Sequence, residues 1–125
     1  MIAPRFLLDT NILVYLISGA SPHLRQRVEE RELGSVVTSA LCVAEAMYGI
    51  MANGQSASLI ALLRVIEPRP FDLAAAERFP HVPFRRGKLD RFIAAHALAL
   101  DLTLVTNNER DFADIPGLSV ENWTR

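Results

Sequence analysis

The chain has 125 residues, half of them hydrophobic, with 13 basic and 14 acidic side chains and a formal charge of −1. That length predicts one domain over residues 1–125, able to hold a core without disulfides, and the single Cys42 excludes a disulfide framework and fits a reducing, cytoplasmic setting. The charge balance excludes a polybasic protein that grips nucleic acid by bulk charge, but not a nucleic-acid enzyme whose site contains several carboxylates.

Arg5 to Leu8 is a short apolar run that predicts a buried strand ending at Asp9. Thr10 and Asn11 can cap the helix from Ile12 to Ile17, which is too short to span a membrane and is stopped by Ser18-Gly19. Ser21-Pro22 starts a second helix with an apolar face of Leu24, Val28 and Leu33, ended by Gly34. Val36-Val37 reads as a strand. Thr38 or Ser39 then caps a helix from about Ala40 to Ala52, and Ser56 or Ser58 opens another through Leu63. Val65-Ile66 reads as a strand cut off by Pro68 and Pro70, and Asp72 caps Leu73 to Phe79. Residues 80–87 are irregular and basic, and Asp90 opens an apolar helix to about Leu100. Thr103 to Thr106 is a strand, Asn108 to Ala113 one or two helical turns, and Leu118 to Glu121 a last edge strand.

Short apolar strands alternating with helices predict an α/β domain: a parallel sheet of four or five strands with helices on both faces. In such sheets ligands bind beyond the carboxyl ends of the strands. Two polar clusters, Asp9-Thr10-Asn11 and Thr106-Asn107-Asn108, fall at such ends.

Four acids follow from this placement. Asp9 ends an apolar strand, where it can cap a helix, bind a metal or accept a phosphoryl group; a phosphoacceptor site would want a second Asp at position 11, which is Asn11. Glu45 sits among Val43, Ala44, Met47, Ile50 and Met51, so it either points to solvent or needs a cation. Asp90 can cap the apolar helix or stand beside the core. Asp111 is either an exposed loop acid or part of the same cluster. They are separated by 36, 45 and 21 residues, each at a strand end or on a helix. Hard cations such as Mg²⁺ take oxygen ligands, and one to three carboxylates plus phosphate oxygens suffice. Metal-assisted phosphodiester hydrolysis is the chemistry such a site supports.

Four blocks carry a family resemblance. Phe6-Leu7-Leu8-Asp9-Thr10-Asn11-Ile12-Leu13, Ser39-Ala40-Leu41-Cys42-Val43-Ala44-Glu45, Asp90-Arg91-Phe92-Ile93-Ala94-Ala95-His96-Ala97-Leu98 and Leu104-Val105-Thr106-Asn107-Asn108-Glu109-Arg110-Asp111-Phe112 resemble the signature blocks of PIN-domain proteins. Within that superfamily they are most similar to the VapC toxin ribonucleases of bacterial type II toxin–antitoxin systems. The resemblance implies a PIN fold, usually dimeric, and Mg²⁺- or Mn²⁺-dependent endoribonuclease activity on RNA, tRNA being one such substrate. It also implies neutralisation by a small VapB-type antitoxin. Asp9, Glu45 and Asp90 match the family's three core acids, with Asp9 and Asp90 as metal ligands. Asn108 stands where many PIN domains have a fourth acid; in the toxin branch the acid comes a few residues later, here Asp111. Asn11 and Thr106 match polar residues that support the metal site. The segment from Phe79 to Leu89 is shorter and more Pro-interrupted than the family's usual helix there.

Arg85, Arg86 and Lys88 form the densest basic cluster, placed to hold a phosphate backbone beside Asp90 or simply to sit in an exposed loop. No His/Cys spacing suggests zinc, and no Gly-rich phosphate loop is present. His96 reads as a core or capping histidine. The Met47, Ile50, Met51 and Leu59, Leu62, Leu63 stripes read as core or dimer surface. The rival expectation from another class is a PIN-like RNA- or protein-binding module without catalysis, motivated by Asn108 and by the short segment before Asp90.

Overall fold

The computed structural model describes residues 2–84 and 88–125. Five parallel strands, β1 (Phe6–Leu8), β2 (Val36–Ser39), β3 (Glu67–Arg69), β4 (Thr103–Val105) and β5 (Val120–Glu121), form one sheet in the order β3-β2-β1-β4-β5. They are joined by α1 (Thr10–Ser18), α2 (Pro22–Glu29), α3 (Ala40–Ile50), α4 (Ser56–Leu63), α5 (Leu73–Arg78) and α6 (Asp90–Leu100). Among the described residues no helix is long and apolar enough to cross a membrane.

β1 is apolar and buried along its whole length, as a central parallel strand must be. Leu8 is level with Thr38 on one side and Val105 on the other, so Asp9, Ser39 and Thr106 emerge together at the carboxyl edge. The chain leaves β1 to build β2 and β3 on one side, then crosses to β4 and β5 on the other. The strand order reverses between β1 and β4, and such a switch point opens a crevice at the strand ends.

Helix starts follow the capping residues. Ser21 accepts from the Leu24 N–H at 3.2 Å, Ser39 from Leu41 at 3.1 Å and Asp72 from Ala75 at 3.0 Å. α1 differs from expectation. Its N-cap is Asp9, whose carboxylate accepts from Thr10 N–H at 2.8 Å, while Thr10 and Asn11 are already helical. α6 differs too: Leu89 is its N-cap residue and makes no side-chain cap, which leaves the Asp90 carboxylate free for other work.

Two expected boundaries move. β3 is Glu67–Arg69, not Val65-Ile66. It pairs with β2 alone, and an edge strand tolerates Pro68 because a missing N–H on the open side breaks no ladder bond. α2 ends at Glu29, so Leu33 lies beyond it and is exposed rather than on its apolar face. The core is continuous, drawing on β1, β2, β4, α3 and α6 and closed by Trp123 near the chain's end.

Candidate active site

Beyond β1 and β4 lies a pocket of about 90 Å³, lined by Asp9, Thr10, Asn11, Glu45, Asp90, Asn108, Asp111 and Phe112. Its polar surface is made of carboxylates, carboxamides and a hydroxyl, and among the described residues no lysine or arginine lines it. Four acids far apart in the sequence therefore share one opening.

Asp9 is held on both oxygens. One accepts from Thr10 N–H at 2.8 Å and the other from the Thr106 hydroxyl at 2.8 Å. The Thr106 hydroxyl in turn accepts from Asn108 N–H at 3.1 Å, so the turn after β4 and the carboxylate after β1 are locked together. Burial pushes the Asp9 carboxyl above the ordinary carboxylate range; the Thr106 and Thr10 bonds oppose that, and the charges of Asp90 and Glu45 add to it.

Glu45 comes from the middle of α3, two turns beyond the Ser39 cap. It accepts a very short hydrogen bond from the Thr10 hydroxyl. The expectation that this helix has little wet surface does not hold: Ala44, Glu45, Met47, Tyr48 and Met51 are all exposed. Only Cys42, Val43, Ala46 and Ile50 of α3 are buried, so Glu45 reaches the pocket along its rim.

Asp90 stands in the first turn of α6. Burial raises its carboxyl, as does nearby Asp111, against the lowering effect of its own backbone N–H and of Lys88. Asp111 lies in a 3₁₀ turn (109–112) and accepts from Asn108 Nδ2 at 2.5 Å. Asn108 thus does not replace an acid; it holds one in the pocket. Asn11 is exposed at the mouth, with its amide 3.5 Å from Asn107 Oδ1, and Asn107 donates to the Tyr15 hydroxyl at 3.0 Å. Lys88 is exposed on the Asp90 side. The expected roles of Arg85 and Arg86 lie outside the described residues.

The donor set suits a hard divalent cation. It is all oxygen, it carries up to four negative charges, and burial raises both Asp9 and Asp90. Among the described residues, no three His, Cys, Asp or Glu side chains close around a common point as a complete metal cage. Mg²⁺ does not need one: it is commonly held by one or two carboxylates and keeps waters and substrate phosphates as its other ligands. Cys42, behind Asp9, is buried and its thiol is pushed up to about 12, chiefly by burial and then by the Asp9 charge, which leaves it protonated and inert.

Two residues of this region escaped the sequence reading. Thr10 was expected as a cap and instead fixes Glu45; nothing in the spacing signals that. Arg91 is buried with its guanidinium among backbone and carboxylate oxygens. The signal was present, an arginine directly after Asp90 in a helix otherwise apolar from Phe92 to Ala95.

Comparison with known proteins agrees with this geometry. The PIN domain profile matches residues 6–118. The tRNA(fMet)-specific endonuclease VapC of Shigella flexneri is 30% identical over 131 residues, covering 96% of this chain and 98% of that protein. Ribonuclease VapC2 of Haemophilus influenzae is 31% identical over 130 residues, covering 95% and 98%. Among solved structures, VapBC2 from Rickettsia felis bound to a promoter DNA fragment superposes with a TM-score of 0.86 at 28% identity, covering 95% of this chain and 98% of that one. DNA-bound VapBC from Salmonella typhimurium gives a TM-score of 0.85 at 27% identity, covering 96% and 98%. The chain belongs to the PIN-domain family, in its VapC ribonuclease branch. The reading of the chain as a binding module without catalysis is not favoured, since these relatives are named as nucleases.

Proposed function

We propose that this chain is a single PIN-like domain acting in the cytoplasm as a VapC-type toxin, an Mg²⁺- or Mn²⁺-dependent endoribonuclease held in check by a VapB-type antitoxin. The observation that carries the reading is the shared pocket of Asp9, Glu45, Asp90 and Asp111. Asp9 and Asp90 would hold the metal, with Glu45 and Asp111 completing its hydration shell or orienting water. The bound ion would supply charge neutralisation at the scissile phosphate and acidify a water for in-line attack.

The chain's own residues do the rest. Thr106 and Thr10 N–H hold Asp9 in one orientation, so its carboxylate needs no reorganisation when substrate arrives. The Thr10 hydroxyl aims Glu45, and Asn108 aims Asp111. Asn11 lines the pocket and Lys88 is exposed on the Asp90 side, where an amide and a cation can contact the RNA backbone, with Arg85 and Arg86 next to Lys88 in sequence. A homodimer is supported by the exposed apolar strip of Met47 and Tyr48 on α3 with Met51 just past its end, an uncommon outer face for a lone domain.

The test is single-turnover RNA cleavage, tRNA included, by purified protein. Cleavage lost in EDTA and restored by Mg²⁺ or Mn²⁺ is the expected result. Cleavage that persists in EDTA, or RNA binding with none, overturns it.

A further inference from the structure

Asp90 on α6 and Asp111 in the 3₁₀ turn line one pocket from two separate elements, bringing two like charges together. Something in the scaffold must hold the 3₁₀ turn against α6. Asn108 fixes the Asp111 carboxylate, but Asn108 belongs to the same turn and cannot anchor it to the helix. The link is Arg91. Its side chain is 2% exposed and leaves α6 directly after Asp90. Nη2 donates to the Asp111 backbone carbonyl at 2.6 Å and to Asp114 Oδ1 at 3.1 Å. Nη1 donates to Asp114 Oδ2 at 3.3 Å and reaches the Pro83 carbonyl at 3.5 Å. The guanidinium thus grips a carboxylate with both prongs and a carbonyl of the catalytic turn at once, a planar geometry that lysine cannot reproduce.

A buried arginine is costly unless it is paired, so one in this place is tied to what it holds. It holds three segments: the start of α6, the chain around Pro83 that leads towards it, and residues 111–114. It does not line the pocket, and Asp114 takes up its charge, so it leaves the acidity of the four carboxylates in place.

We propose that Arg91 and Asp114 form a buried clamp of positioning residues that sets Asp111 against Asp90, so that the affinity of the site for its divalent cation depends on the pair. The proposal rests on the metal-dependent reading above.

The experiment compares wild type with R91K, D114N and D114E. R91K keeps the charge and loses the fork. Asp114 is 32% exposed, so D114N disturbs little packing and serves if R91K does not fold. Mn²⁺ affinity is measured by calorimetry on protein shown to be folded by its melting curve, and cleavage is followed against metal concentration. R91K and D114N are expected to bind Mn²⁺ about tenfold more weakly, within the range for residues that orient ligands. Their cleavage midpoint should shift by the same factor and recover at saturating metal, with KM for RNA unchanged and D114E close to wild type. A lower melting temperature with wild-type Mn²⁺ affinity in the folded variants overturns the clamp and leaves the ribonuclease reading standing. A wild type that neither binds Mn²⁺ nor cleaves overturns both.

Discussion

β1 is only three residues long, and its two ends are built on opposite terms. Phe6, at its start, packs edge-on against Trp123 with ring centroids 4.9 Å apart. Arg31 lies over both rings, at 4.8 Å and 4.9 Å, with Arg5 over Phe6 and Arg27 over Trp123, each at 5.4 Å. Each of these three arginines has an aromatic face beneath it, and Trp123 is fully buried. Asp9, immediately past the other end, meets Asp90 and Glu45 instead. One end settles its charges and stabilises the fold. The other leaves like charges together, which costs stability and is what a cation would relieve.

The sharpest way to break that contrast is D9N. It removes the central carboxylate and one source of repulsion while keeping the shape. Cleavage should fall below detection, and the metal-free protein should melt at a higher temperature than wild type near neutral pH. A melting temperature lower than wild type would mean that Asp9 supports the fold.

W123A inverts the outcome. Emptying a fully buried tryptophan site should cost about 3–5 kcal/mol of stability. The fraction still folded should bind Mn²⁺ as wild type does, since Trp123 does not line the pocket. Chemical denaturation and calorimetry on the same samples separate the two quantities. Weakened metal binding in folded W123A would show that the two ends of β1 are coupled.

T106V falls between these. Valine keeps the volume and loses both the bond to Asp9 and the acceptor for Asn108 N–H. Metal affinity should drop about 10–100-fold. Unchanged affinity would mean that the Thr10 N–H bond alone orients Asp9.

What could be read from the sequence divides along the same line. Asp9 and Thr106 were legible because each ends an apolar strand, and a polar residue there has few other places to go. The sheet was legible from the alternation of runs. β3 was not, because Glu67-Pro68-Arg69 carries no apolar signal; its place is set by pairing to β2, which only the tertiary structure supplies. Glu45 was found for an incomplete reason. Its helix looked enclosed because Met47 and Met51 are apolar, and nothing in one sequence says which apolar faces stay open. Arg91 stands one residue into its helix, where a charge is ordinarily solvated, and here it is the most enclosed cation among the described residues.

The smallest expected effect tests the electrostatics themselves. A carboxyl raised by burial in the folded protein, like Asp9, keeps its proton when the unfolded chain, titrating near 3.8, has lost it. Between those two values the folded state binds more protons, so its stability falls as pH rises through the window. His96 acts in the opposite sense. Buried with Nδ1 2.9 Å from Ser39 Oγ, its pKa is lowered below 6.5, so the stability it contributes is present above that value and is lost on acidification. Wild type alone mixes the two trends. The difference in melting temperature between metal-free D9N and wild type cancels His96, which both proteins share. That difference should be largest near pH 7 and shrink as acid protonates Asp9, and cleavage by wild type should decline through the same range as protons displace the metal. A difference that stays constant with pH would place the Asp9 carboxyl back in the ordinary range and remove the repulsion that sets the two ends of β1 apart.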